Sequence, residues 1–208
     1  MEAEELIRSR LRAARPDDAI VGEEGDDEAG KSGRAWVVDP IDGTVNFLFG
    51  IPQWCVSVAL EDEVGVVYDA MRDECWAGRA GEEPTCNGEP VGPRGCADLA
   101  EAMVATGFGY DAEVRRVQGE LVAGLLPQVR DIRRLGSAAL DLAWTAGGRY
   151  DAYFERGVKR WDVAAGALRC RCAGLEVHRH GPLPPSEDGL LVAPAAFADE
   201  LLDAVGGR

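Results

Sequence analysis

Apolar positions recur at helical spacing over residues 3–15, where Leu6, Ile7, Leu11 and Ala14 fall on one stripe, and Pro16 with Asp17 and Asp18 closes the segment. An amphipathic helix is therefore predicted at the start. Ile20 and Val21 make a brief apolar step into Gly22-Glu23-Glu24-Gly25, which begins an acidic, glycine-bearing loop reaching Gly33. Ala35-Trp36-Val37-Val38 is continuously apolar, the pattern of a buried strand, and it stops at Asp39-Pro40 with a carboxylate at its end. Valine-rich runs at 54–60 and 64–68, separated by Glu61-Asp62-Glu63, predict an antiparallel hairpin, with a third strand at 74–77.

From Met103 onward the pattern alternates. Strands are predicted at 103–106, around Ile132, and at 150–154, 175–178 and 190–192, with helices near 113–126, 137–146, 161–173 and 197–205. Strands gathered early and alternation later predict an α/β protein in which an α+β half, residues 1–100, joins an α/β half, residues 101–208. At roughly 150 residues per domain, 208 residues fit one domain or two intimately packed halves. No internal repeat or low-complexity tract interrupts them.

Composition narrows the function. No apolar run approaches the roughly 20 residues that cross a bilayer, so no membrane partner is expected. The opening Met1-Glu2-Ala3-Glu4-Glu5 is acidic where a secretory leader is basic and then apolar, which predicts a cytoplasmic protein. A net charge of −15 repels polyanions and argues against general nucleic-acid binding; a phosphate ligand would need metal ions beside it. The six cysteines (Cys55, Cys75, Cys86, Cys96, Cys170, Cys172) form no CxxC pair and are expected to be reduced and to pack as small hydrophobes. His178 and His180 are expected to be exposed polar residues, and the tryptophans core anchors.

Gly25 to Ser32 matches the letters of a P-loop, but only Gly33-Arg34-Ala35 separate it from the next strand, which leaves no helix to hold phosphate, and three acids line the loop. Asp39-Pro40-Ile41-Asp42-Gly43-Thr44 is more informative, because two carboxylates flank a proline-stiffened turn just beyond a buried strand. An EF-hand is excluded, since Gly50 stands where its glutamate is required. Taken alone, the turn reads better as one whose aspartates cap backbone N–H groups. Glu23, Asp39, Asp42 and Asp162 together are predicted at strand ends or helix starts, where uncompensated they would repel. Hard cations such as Mg²⁺ take oxygen ligands, so these carboxylates and the Ile41 carbonyl form a candidate multi-metal site.

At these residues the sequence resembles the inositol monophosphatase family of Mg²⁺-dependent, lithium-sensitive phosphatases. The resemblance rests on Gly22-Glu23-Glu24, on residues 36–47 (Trp36-Val37-Val38-Asp39-Pro40-Ile41-Asp42-Gly43-Thr44-Val45-Asn46-Phe47) with Pro52 after them, and on Trp161-Asp162-Val163-Ala164-Ala165-Gly166. Gly136-Ser137-Ala138-Ala139 and 151–155 add to it, in family order over nearly the whole chain. It implies a layered αβαβα sandwich of the inositol monophosphatase/fructose-bisphosphatase type, forming one phosphatase domain over residues 1–208. It further implies one Mg²⁺ on Glu23, Asp39 and the Ile41 carbonyl, and a second on Asp39, Asp42 and Asp162. Thr44 and Glu23 would orient a metal-bound water, backbone N–H groups of Gly43 and Thr44 would hold the phosphate, and Ser137, Ala138, Glu155 and Asp162 would hold polyol hydroxyls.

The substrate so implied is a small phosphorylated polyol, inositol monophosphate first, with histidinol phosphate, fructose 1,6-bisphosphate and nucleotide 3′-phosphates as rivals; a homodimer is implied as well. Relatives ordinarily carry a further helix and hairpin ahead of the helix at 3–15, including a lysine-bearing loop and an acidic partner for the threonine that helps hold a third metal. The expectation that follows is weakened activity, or in the extreme a non-catalytic metal-binding remnant of the same fold.

Overall fold

The structure, a computed structural model, describes residues 2–182, 184 and 188–206. The hairpin expected from the valine runs is present inside a larger sheet of strands β1 (Ala19–Gly22), β2 (Ala35–Asp42), β3 (Cys55–Leu60), β4 (Val64–Asp69), β5 (Glu74–Arg79), β6 (Thr85–Cys86) and β7 (Glu89–Pro90), which lie side by side in chain order. β1 and β2 run parallel, and the other neighbours are antiparallel. β2 runs past the expected stop. Pro40 has no N–H to give, and the ladder with β3 jumps from Asp39 opposite Ser57 to Asp42 opposite Cys55. That irregularity brings two carboxylates to the strand's end.

A second sheet, in the order β11-β12-β10-β8-β9, is formed by β8 (Met103–Thr106), β9 (Asp131–Arg133), β10 (Ala152–Arg156), β11 (Glu176–His180) and β12 (Gly189–Ala193). Between the sheets lie α4 (Ala138–Ala146), buried along its whole length, and α5 (Arg160–Cys172). α5 seats directly on β4: a Cβ at Gly65 would come 2.8 Å from the Ala165 Cα. α4 and α5 meet as closely, since a Cβ at Gly166 would stand 2.4 Å from the Leu142 Cβ. Helix α3 (Ala112–Leu125) and helix α6 (Ala198–Ala204) close the outer face of the second sheet around Leu125, Phe154, Leu191 and Leu201, while α1 (Glu2–Ala14) lies against β2. The short helix α2 (Thr44–Leu48) follows β2. The result is the expected αβαβα layering.

Two expectations fail. The face that α1 buries is charged: Glu4 and Arg8 are enclosed, Ile7 and Leu11 are half-buried, and Leu6 and Ala14 are exposed. The surface beneath it is the loop after Gly22, whose backbone N–H groups need acceptors, so a carboxylate serves better than leucine. His180 is buried rather than exposed, in a spot where burial and Arg156 push its pKa down to about 4. All six cysteines are free, as expected. Trp76 and Trp144 are core residues, and Trp36, Trp54 and Trp161 are half-buried.

Candidate active site

Asp39 and Asp42, both buried at the end of β2, meet Asp162 from the first turn of α5, and one carboxylate oxygen of each lies within 4.8 Å of the others. Glu23, just beyond β1, falls outside that trio, but its charge bears on Asp39 and helps to raise the pKa of the Asp39 carboxyl. All four line one cavity of about 390 Å³. The convergence comes from the topology, because β1 ends opposite Val38, one residue before Asp39 on parallel β2, and the flush packing of α5 on β4 brings its first turn to the same cavity.

Each of the three aspartates is held. Asp39 Oδ1 accepts from the Ile41 N–H at 3.0 Å, and Asp162 Oδ2 accepts from the Lys159 N–H at 2.6 Å. Asp42 Oδ2 takes the Ser137 hydroxyl at 2.5 Å and the Ala139 N–H at 2.8 Å, with the Cys55 thiol 3.8 Å away. Asn46 brings those partners near by donating to the carbonyls of Gln53 (2.7 Å) and Leu135 (2.8 Å), which ties α2 to the loop before α4. Gly43 turns the chain from Asp42 into α2 at φ +91°, where a side chain is strained and a Cβ would come 2.9 Å from the Gln53 carbonyl. Thr44 Oγ1 donates to the Ile41 carbonyl at 2.9 Å.

The cluster gathers like charges, opposed at Asp162 by Lys159. Burial, then Asp42, Glu23 and Asp162, push the Asp39 carboxyl up, and burial raises Asp42 against the opposing pull of Ser137 and Ala139. Asp162 is raised to about 7, by burial first and then by Asp42 and Glu23. Glu155 is likewise raised to about 7 by burial, although the Tyr153 hydroxyl donates to it at 3.0 Å. Oxygen-only donors that repel one another when ionised fit a hard divalent cation, whose charge would reverse those shifts. Zinc and copper sites favour nitrogen or sulfur, which this trio lacks.

Ile41, Gly43, Thr44, Ala138 and Glu155 also line the cavity. Ser137 does not: it is buried with its hydroxyl turned to Asp42, and Gly136 and Ala138 form the wall where the backbone around Ser137 was expected to meet substrate. Sequence reasoning missed Phe108, Tyr110 and Arg134, which form another wall, the Arg134 guanidinium 5.8 Å over the Phe108 ring. The signal was Gly107-Phe108-Gly109-Tyr110, aromatics bracketed by glycines just after a strand. Cys55, read as packing, lies under Asp42.

Ser137→Ala tests the hold on Asp42. A lost hydrogen bond to a buried charge costs about 1.5–3 kcal/mol, so the concentration at which a divalent cation half-saturates the cavity is expected to rise about tenfold or more. Titration of tryptophan fluorescence, with Trp161 at the cavity wall, measures it. An unmoved midpoint would mean that Asp42 needs no such support.

Comparison with known proteins gives a consistent result. The model of the inositol monophosphatase family matches residues 1–205. The inositol-1-monophosphatase SuhB of Mycobacterium tuberculosis (strain H37Rv) is 43% identical over 219 residues, covering 98% of this chain and 75% of that protein. The Nus factor SuhB of Xylella fastidiosa is 45% identical over 177 residues, covering 83% of this chain and 64% of its own length. Among solved structures, M. tuberculosis SuhB superposes with a TM-score of 0.86 at 41% identity, covering 98% of this chain and 81% of that one. The inositol monophosphatase of Anabaena gives 0.88 at 32% identity, covering 98% and 84%.

Proposed function

The chain belongs to the inositol monophosphatase family of phosphoric monoester hydrolases, and from that premise we propose that it hydrolyses inositol monophosphate to inositol and phosphate with Mg²⁺ as the cation. The observation that carries this reading is the convergence of Asp39, Asp42 and Asp162, with Glu23 beside them, on one cavity. Glu23, Asp39 and the Ile41 carbonyl would hold one ion, and Asp39, Asp42 and Asp162 a second. Such ions supply positive charge for the phosphate and the departing alkoxide and lower the pKa of water toward neutrality.

The remaining work falls to this chain's own groups. Thr44 commits its hydroxyl proton to the Ile41 carbonyl, so its oxygen can accept from the attacking water and fix its direction. Glu23 is the acceptor for that water's other proton. The N–H groups of Gly43 and Thr44, at the start of α2 on the cavity wall, lack partners within the helix and suit phosphate oxygens. Glu155, oriented by Tyr153, and Asp162 accept from polyol hydroxyls beside Ala138, while Trp161 and Phe108 narrow the access of bulk water. No enzyme nucleophile is required, because phosphoryl transfer rests on positioning and electrostatics.

A panel of inositol monophosphate, histidinol phosphate, fructose 1,6-bisphosphate and a nucleotide 3′-phosphate, assayed for phosphate release with Mg²⁺, tests the assignment. Inositol monophosphate is expected to give the highest kcat/KM. A higher value for another member would overturn the substrate, and no release from any would favour a non-catalytic metal-binding protein.

The reading includes one phosphatase domain, a cytoplasmic setting supported by the free cysteines, and a homodimer. Among the described residues no helix is long and apolar enough to cross a membrane. Val45, Phe47, Leu48, Phe49 and Ile51 are exposed together on and after α2, an apolar patch suited to a second copy. Sedimentation velocity at micromolar concentration is expected to show a dimer that Phe49→Glu converts to monomer; a monomeric parent would refute it.

A further inference from the structure

Glu23 is exposed, so the backbone on either side of it fixes its place. On the near side its own N–H donates to the Val38 carbonyl at 3.2 Å, ending the β1–β2 ladder. On the far side the N–H groups of Glu24 and Gly25 both donate to one carboxylate, that of Glu4 on α1, at 2.8 and 3.0 Å. Glu4 is only 2% exposed and takes the Arg8 Nε at 2.7 Å on the oxygen that also serves Gly25. Arg8 reaches on to the Asp26 carbonyl at 3.1 Å and to Glu28 at 2.9 Å, and Arg12 grips Glu28 from the solvent side. Glu28 in turn exchanges two backbone hydrogen bonds with Ile20 on β1.

The loop from Glu23 to Glu28 is therefore clamped at its start on β2, at its end on β1 and in the middle on α1. The fit is close, since a Cβ at Gly22 would lie 2.3 Å from Glu4 Oε1 and one at Gly25 would lie 2.9 Å from it. An acidic loop beside the carboxyl groups of Asp39, Asp42 and Asp162 would otherwise relax outward, away from its like charges. A buried carboxylate that accepts two consecutive N–H groups opposes that movement, and charge-assisted hydrogen bonds of this kind are about twice as strong as neutral ones.

We propose that Glu4, locked by Arg8, is a positioning residue for cation binding: it holds the Glu23 loop against Asp39, so that the carboxyl groups are gathered before an ion arrives. This rests on the metal-site reading above. Ordering a ligand in advance shows in affinity, because the cost of ordering is not met at the moment of binding.

The test is calorimetric titration of the full chain with Mg²⁺ alone, backed by amide hydrogen exchange of the metal-free protein. Glu4→Gln keeps the size but removes the charge and one acceptor. It is expected to weaken Mg²⁺ binding about tenfold, to speed exchange at residues 24 and 25, and to leave kcat at saturating Mg²⁺ within about twofold of the parent. Glu113→Gln, exposed on α3 far along the chain, is the control and should move neither. A purely structural role for Glu4 would lower the melting temperature while the folded fraction bound Mg²⁺ as tightly as the parent, and that result overturns the proposal. If Glu4→Gln does not fold, Glu28→Gln, which loosens Arg8 and Arg12 from outside, must weaken binding about threefold, and unchanged affinity is equally fatal. Asp42→Asn separates the two readings: if it binds as the parent does, the metal site is wrong, whereas its loss beside an unaffected Glu4→Gln removes only the positioning role.

Discussion

Asp162→Asn and Asp42→Asn are each expected to cut Mg²⁺-dependent phosphate release at least about a thousandfold while leaving the fold intact. Each decade is about 1.4 kcal/mol of transition-state stabilisation, so a thousandfold is about 4 kcal/mol, the several kcal/mol that cations held by these carboxylates contribute. The substitutions are nearly isosteric. The amide oxygen of an asparagine at 162 still accepts the Lys159 N–H, so α5 keeps its first-turn cap, and one at 42 still accepts from Ser137 and Ala139. Without metal, both variants are expected to melt higher than the parent at pH 8, because each removes a charge from a cluster whose members raise one another's pKa. Lower activity with a lower melting point would mean damage to the fold, and turnover within tenfold of the parent would falsify the assigned roles.

How legible this site was varies with the physics that made each part. Asp39, Asp42 and Asp162 could be found because the ends of strands and the starts of helices are marked by proline, glycine and a change of period, and a carboxylate there has few structural excuses. The hairpin β3–β4 was legible from its alternation, and the fully buried α4 from an apolar run of helical length. β6 and β7 were missed although Asn87-Gly88, with φ of +51° and +85°, is the two-residue turn that favours a hairpin; strands of two residues carry no period to detect. The charged underside of α1 was hidden by a rule that places leucine inside, and only the loop beneath it shows why glutamate wins there. The register break at Pro40 and the grip of Ser137 on Asp42, 95 residues away in the chain, belong to tertiary structure and leave no local trace. The Phe108–Tyr110 wall stood between these cases, visible as a glycine-bracketed pair yet without chemistry of its own to single it out.

The stability gained from Mg²⁺ should grow with pH, over the same range in which the metal-free protein loses stability. In the metal-free protein the carboxyls of Asp39, Asp42, Asp162 and Glu155 hold protons to higher pH than they do unfolded, with Asp162 and Glu155 raised to about 7. Between about pH 4, where unfolded carboxyls ionise, and pH 7, the native state thus binds more protons than the unfolded one. The slope of unfolding free energy with pH is then negative, and these groups lower stability as pH rises through that window. Metal binding needs the ionised forms, so it releases protons below about pH 7 and strengthens toward pH 8. His180, held to about 4, has the reverse sign and favours the native state as pH rises from about 4 to 6.5, but it lies away from the carboxylate trio and acts equally with and without Mg²⁺. The difference between paired melts therefore isolates the site. At a Mg²⁺ concentration about a hundredfold above its dissociation constant the gain is about 2.7 kcal/mol, which for a chain of this length is about 5–10 °C. That gain is expected at pH 8, shrinking to near zero at pH 5, with Asp42→Asn abolishing it at both. A Mg²⁺-induced shift that is equal at pH 5 and pH 8 would show that the ion binds groups whose protonation does not change across the window, and so does not bind these carboxylates.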